Sequence, residues 1–260
     1  MPKETRILAL VGSQRGEKSN TRLLCQMAAS AIEDGWNHTG GAIHTEIITA
    51  DAWNLGPCMS CGSCFRQGSC PQDEKDDMKA LKQKIMEADC LILASPVYAA
   101  AVSGDMKRLI DRLSGWLHTM PLIGKTAAAL STADSNSGET AVSYLAWAME
   151  TMGAVVPVSL NVFVHYGPPL LGDKLQLDPV LKEKAELLIR GMKGELLPSQ
   201  SQEAYFSMMS KGYRKKQEFG QMYPELRFAE ERIWEEQGYF ACASMREVMR
   251  KKGEADEGLV

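Results

Sequence analysis

Short, continuous apolar runs alternate with helix-patterned stretches through the first two thirds of the chain. This alternation narrows the fold more than any other feature. Residues 6–11 (RILALV) are almost wholly apolar and close on Gly12 and Ser13. Residues 90–95 (CLILAS) form a second such run. Runs of this kind suit strands buried on both faces of a parallel sheet. Further strands are expected at residues 44–49, 126–131 and 154–160. Between them, residues 20–33 carry Leu23, Leu24, Met27, Ala28 and Ile32 at helical spacing. Residues 76–88, 104–117, 139–152 and 179–192 also read as helices, while 51–76 shows no clear periodicity. Strand–helix alternation with right-handed crossovers predicts an α/β, doubly wound three-layer sandwich around a five-stranded parallel sheet.

At 260 residues and 45% hydrophobic, the chain can bury a sizeable core. The net charge of −4 gives no basic face for phosphate neutralisation, so nucleic acid is not an expected partner. No apolar run approaches the roughly 18–20 residues of a membrane-spanning helix, so no membrane partner is expected either. Residues 1–5 are polar and lead straight into the first strand. They do not read as a signal peptide, and a cytoplasmic location is the expectation. After Leu197 the texture becomes polar and helical, with aromatics from Tyr205 to Phe240. The expected division is a sheet domain at 1–197, with an insertion at 51–76, and a helical C-terminal extension at 198–260. The extension is too short and charged for much core of its own, so its aromatics should pack on the parent domain or a twin subunit. Residues 251–260 should fray.

Ligands of open α/β sheets bind beyond the carboxyl ends of the strands. Three loops lie there. The first runs from Gly12 to Thr21 and opens a helix; its N–H groups, the hydroxyls of Ser13, Ser19 and Thr21, the amide of Asn20 and the charge of Arg15 make an anion cradle. A P-loop would need glycine where Glu17 stands, so a singly terminal phosphate suits it better than a triphosphate. Ser19 also fits a helix N-cap. The second loop is Ser95-Pro96-Val97-Tyr98, with a stiff turn and an aromatic face. The third, after the fourth strand, includes Ser131, Thr132, Asp134, Asn136 and Gly138, all small and polar. His165 and Tyr166, after the fifth strand, could line the substrate side, but a lone histidine before Gly-Pro-Pro is more often an ordinary loop residue.

These stretches resemble the flavodoxin-like NAD(P)H-dependent FMN reductase family. The resemblance rests on Gly12-Ser13-x-Arg15 with Ser19-Asn20-Thr21, on Ala94-Ser95-Pro96-Val97-Tyr98 with Gly104, Lys107 and Asp111-Arg112, and on the Ser131 to Gly138 loop. It covers residues 6–171. It implies a flavodoxin-like fold, non-covalent FMN, NAD(P)H as co-substrate and a homodimer or dimer of dimers. Ser13, Arg15, Ser19, Asn20 and Thr21 would then hold the phosphate. Pro96, Val97 and Tyr98 would flank the ring, and the third loop would meet its other edge. No residue emerges as an obligatory acid or base, so no catalytic side chain is assigned.

Four of the seven cysteines stand at Cys58-x2-Cys61-x2-Cys64-x5-Cys70. Three closely spaced thiolates and a fourth closing ligand suit a [4Fe–4S] cluster. Zinc also takes four thiolates, although its usual sites pair two separated Cys-x2-Cys knuckles. Structural or redox thiols are the third option. The pattern resembles the compact cysteine motif of the iron–sulfur flavoproteins, a branch of the same family, and so does Asp76-Asp77-Met78. Cys25 and Cys90 lie in core-like runs and read as small hydrophobes. His38, His44 and His118 show no metal spacing. The expected activity is a flavin-dependent oxidoreductase passing electrons from a reduced nicotinamide or a redox-protein carrier to an acceptor. The alternative is an electron-transfer or redox-sensing flavoprotein that acts on a partner protein.

Overall fold

A computed structural model describes residues 4–37, 41–164, 174–223 and 228–257. Strand β1 (Thr5–Val11) is followed by α1 (Asn20–Asn37) and β2 (Ile43–Thr49). The segment after β2 carries a 3-10 turn (Ala50–Ala52) and a short α-helix, α2 (Ser63–Arg66), before α3 (Met78–Glu87) and β3 (Cys90–Tyr98). A two-residue strand, β4 (Ala101–Val102), precedes α4 (Gly104–Arg112) and α5 (Ser114–Thr119). Then come β5 (Thr126–Ala133), α6 (Gly138–Thr151), β6 (Val155–Phe163) and α7 (Lys174–Met192).

The five long strands are parallel, in the order β2-β1-β3-β5-β6. This is the flavodoxin-like order, with its switch point between β1 and β3. The sixth strand, β4, is antiparallel and pairs only with the end of β3. On one face α1 and α7 cover Ile7, Ala9, Ile92 and Ala128; on the other α3, α4 and α6 cover Leu8, Leu10, Leu91 and Leu93. Both faces of β1 and β3 are therefore buried, which is why their sequences are continuous apolar runs. No helix among the described residues is long and apolar enough to cross a membrane.

Several boundaries differ from the sequence reading. The helix expected at 104–117 is two helices: the Ser114 hydroxyl donates to the Asp111 carbonyl at 2.6 Å, a back-bond that bends the chain before Gly115. Helix α3 starts at Met78, because the acidic residues before it tie the preceding loop instead. Asp77 accepts from the Asn54 N–H at 2.7 Å, and Asp76 from the Gly56 N–H at 3.0 Å. The cysteine segment contains the one turn of helix α2.

The extension comprises α8 (Gln200–Met222), α9 (Ala229–Glu236) and α10 (Met245–Glu257). Helix α8 begins with a capping box between Ser199 and Gln202. The Gln202 amide also donates to the carbonyls of Glu150 and Ala154, docking the extension at the end of α6. The aromatics of the extension pack on the sheet domain. Phe206, Tyr213, Trp234 and Tyr239 are fully buried around Met120 and Ile123 of the sheet domain. Helix α10 runs past Lys251 to Glu257, with the Lys251–Glu247 and Arg250–Glu254 pairs along it. Its Lys252 ammonium donates to the Ile123 carbonyl.

Candidate functional site

The three expected loops follow β1, β3 and β5, which are neighbours at the centre of the sheet. At the end of β1, a Cβ on Gly12 would lie 2.6 Å from the Ser103 hydroxyl and 2.7 Å from Met106 Cβ. Only glycine lets this loop pass the start of α4 so closely. Ser13 and Ser19 are buried, Asn20 is half-buried and Arg15 is exposed. Ser19 is the N-cap of α1, its hydroxyl accepting from the Arg22 N–H at 3.2 Å. The N–H groups of Asn20 and Thr21, at the start of α1, have no carbonyl one turn earlier in the helix to bond. Glu17 does not face this loop's cradle alone: it pairs with Arg22 at 2.6 Å and is otherwise in solvent.

The stretch Ser95 to Tyr98 is the end of β3 and not a turn. Proline's fixed φ suits an extended chain, and the strand runs through Pro96 to Tyr98. The turn falls at Ala99 and Ala100, with φ of 48° and 60°. Two consecutive left-handed residues between paired strands have the backbone of a type I′ hairpin. Tyr98, at its base, is 55% exposed. Likewise β5 runs on to Ala133, so Ser131 and Thr132 are strand residues and the loop begins at Asp134.

One cleft of about 340 Å³ gathers residues from all three places. Ser13, Arg15, Ser19, Asn20 and Thr21 line it from the first loop. Pro96, Val97 and Tyr98 line it from β3, and Thr132 and Asp134 from β5. Val164, just beyond β6, completes the lining. The sequence reading missed Val164 because it ended the fifth strand at residue 160. Four expected residues do not line this cleft. Ser95 is fully buried; its hydroxyl donates to the Pro96 carbonyl and accepts from the Ser103 N–H at 2.9 Å. The Ser131 hydroxyl, also fully buried, lies 3.1 Å from the Gly138 carbonyl and 2.9 Å from Asn161 Oδ1. Gly138 starts α6, where a Cβ would overlap the Asn161 side chain. Asn136 is exposed and pairs with Ser137. His165 and Tyr166 lie outside the described residues.

The cysteine segment is anchored at its base by Arg112, whose side chain is 1% exposed. Its guanidinium donates to the Gly56 carbonyl at 3.0 Å, to Asp73 at 2.9 Å and to both oxygens of Asp76. One cation thus ties the chain before Cys58 to the chain after Cys70. Within the loop, Cys58 and Cys61 are exposed, and Cys64 and Cys70 are half-buried. Burial pushes the Cys64 thiol up, helped by the nearby charges of Cys70 and Cys58. The Cys61 thiol is shifted down, chiefly by its hydrogen bond to the Ser63 hydroxyl. Four thiols are the right donor chemistry for an iron–sulfur cluster. Their arrangement is not: among the described residues, no three Cys, His, Asp or Glu side chains converge as a metal site requires. Cys25 and Cys90 are fully buried, and burial pushes both thiols up to about 12.

Residues 5–168 match the family model described as NADPH-dependent FMN reductase. The chain belongs to this family. It is accordingly an FMN-dependent oxidoreductase. The matched region holds the three strand ends and the cysteine segment, and the extension lies outside it. An iron–sulfur flavoprotein of Methanocaldococcus jannaschii is 34% identical over 165 residues, covering 62% of this chain and 80% of the relative. One from Archaeoglobus fulgidus is 29% identical over 168 residues, covering 64% and 72%. Among solved structures, an NADH:FMN oxidoreductase in its apo form aligns with a TM-score of 0.50 at 21% identity, over 76% of this chain and 93% of that one. RosB with a bound intermediate, 8-demethyl-8-formylriboflavin-5'-phosphate, aligns with a TM-score of 0.57 at 16% identity, over 82% and 87%. At these identities the two structures speak for the fold alone.

Proposed function

We infer that the cleft binds FMN without a covalent link and that the protein passes electrons from NAD(P)H or a reduced carrier to an acceptor. The observation that carries this reading is the convergence of ten residues, expected from three separate stretches, on a single cleft. The proposed roles follow from their chemistry. Arg15 and the first N–H groups of α1 hold the terminal phosphate. Ser13, Ser19 and Asn20 supply further polar groups around it. Pro96, Val97 and Tyr98 give the isoalloxazine an apolar, partly aromatic wall. Thr132 and Asp134 sit at the polar edge. Bound FMN supplies the redox chemistry, and the chain binds and orients it.

The cysteines are a separate part of the reading. We propose that Cys58, Cys61, Cys64 and Cys70 form a redox-active set, whose donor chemistry suits a [4Fe–4S] cluster. The support is their spacing and the iron–sulfur flavoproteins among the relatives. No electron-transfer step is routed through them, because the thiols do not converge.

The test is anaerobic purification followed by an absorption spectrum, flavin release and iron analysis, then NADPH and NADH oxidation with a range of acceptors. FMN at one per chain with nicotinamide oxidation supports the reading. Failure to bind FMN overturns it. FMN without turnover from either nicotinamide favours a carrier that acts on a partner protein.

A further inference from the structure

The family match ends at residue 168, yet the extension reaches back to the cysteine loop. Helix α9 packs on α2, the turn that carries Cys64, and on α5 behind it. A Cβ on Gly115 of α5 would lie 3.1 Å from Cys64 Cβ. Phe65 lays its ring 4.9 Å from the ring of His118, also on α5. His118 is held from behind by α9: its Nδ1 is 2.6 Å from Glu230 Oε1, and its carbonyl accepts from Trp234 Nε1 at 2.8 Å. Farther along the loop, a Cβ on Gly68 would lie 3.2 Å from Ala229 and 3.3 Å from Ile233.

A four-residue helix cannot hold its own orientation, because helix formation needs several turns before it sustains itself. What α2 packs on therefore sets where Cys64 points. Glu230 is 3% exposed, and a carboxylate so buried is costly unless paired. Its partners are His118 and, at 3.5 Å, Lys216. A buried charge aimed at the back of the Cys64 wall is a specific choice where an apolar residue would pack as well.

We propose that the extension is the outer wall of the cysteine site, and that Glu230 is a positioning residue for Cys64, acting through His118 and Phe65. The proposal rests on the reading of the four thiols as a functional set. Cys64 and Cys70 are half-buried, and Cys58 and Cys61 are exposed.

The test is site-resolved alkylation of the reduced, metal-free, full-length protein, read by mass spectrometry. The exposed Cys58 and Cys61 report the rest of the loop, and the buried Cys25 and Cys90 report global loosening. In Glu230→Ala the labelling of Cys64 should speed up about tenfold, the size expected from losing one buried, charge-assisted hydrogen bond that opposes local opening. Cys58, Cys61, Cys25 and Cys90 should not change. Ile233→Ala should act in the same direction by loosening the contact at Gly68. Glu230→Gln keeps an acceptor for His118 and should restore most of the protection. Met208→Ala, on an exposed face of α8, should leave Cys64 as it was. An unchanged Cys64 in both Glu230→Ala and Ile233→Ala overturns the proposal. So does labelling of Cys25 and Cys90 in step with Cys64, which would make the effect a general loosening. Iron uptake by the wild-type protein, measured separately, tests only the underlying reading. A protein that takes up no iron while Glu230 still governs Cys64 would sink the cluster and leave the wall standing.

Discussion

Thr21 and Thr132 hold their hydroxyl oxygens 2.6 Å apart, although β3 lies between the strands that lead to them. Both residues are buried, and both line the cleft. One hydroxyl donates to the other, so the pair keeps one hydrogen for a ligand. The bond fixes the first cleft wall against the third. Thr132→Val keeps the shape and removes the bond. It should lower stability by about 1 kcal/mol and weaken FMN binding by up to about tenfold. Flavin-fluorescence titration and urea unfolding would measure the two effects. A stability loss with unchanged FMN affinity would make the pair purely structural.

Arg112 and Asp76 set up a pH-dependent anchor for the cysteine loop. Burial alone would raise the Asp76 carboxyl, but hydrogen bonds from Arg112 and from the Gly56 and Met78 N–H groups, with the Arg112 charge, outweigh it and hold the group below its usual range. A carboxylate depressed in the folded state adds stability above its unfolded value of about 3.9, and loses it as pH falls through the lower folded value. Asp76→Asn should therefore cost about 2 kcal/mol at pH 7, with Asp73 still facing Arg112. The gap from wild type should shrink below about pH 4. A constant gap across that range in urea titrations would place the effect elsewhere.

How much of this was legible follows from what each residue is used for. The central strands were plain because β1 and β3 are buried on both faces, which leaves no polar alternation to confuse the pattern. Strand ends were less plain. Pro96 and Ser131 look like loop residues, yet one suits an extended chain and the other spends its hydroxyl on Gly138 and Asn161. The cleft residues from Ser13 to Thr21 and from Pro96 to Tyr98 were readable because their types and their place after strands coincide. Glu230 was not readable. An acidic residue on a charged helix looks solvated, and its partner His118 lies 112 residues away. The buried aromatics of the extension were visible, but their seat on Met120 and Ile123 depends on contacts that no local pattern encodes.

The turn at Ala99 and Ala100 carries strain beside the cleft. Left-handed backbone costs an alanine roughly 1 kcal/mol, and type I′ hairpins favour Asn-Gly. Replacing the pair with Asn-Gly should stabilise the protein by about 1 kcal/mol and raise its melting midpoint by about 2–4 °C. The changed residues stand outside the cleft lining, so FMN affinity should hold unless Tyr98 moves with the turn. Calorimetry beside an FMN titration separates these outcomes.

Gly138 offers the sharpest test of the third loop. A Cβ there would overlap the Asn161 amide, and Asn161 is one of two acceptors around the Ser131 hydroxyl. In Gly138→Ala the amide must move, the Ser131 contact must break, and α6 must start farther from β6. The expected loss is about 2–3 kcal/mol, from overpacking together with a buried hydrogen bond. Asn161→Ala alone should lose about 1–2 kcal/mol through the same hydroxyl. Because both substitutions act on one contact, the double variant should recover about 1–2 kcal/mol relative to the sum, the coupling expected of touching residues. A double-mutant cycle from urea unfolding would show it. Strict additivity would mean that Gly138 is required for the backbone alone, and that Asn161 plays no part in fixing where α6 begins.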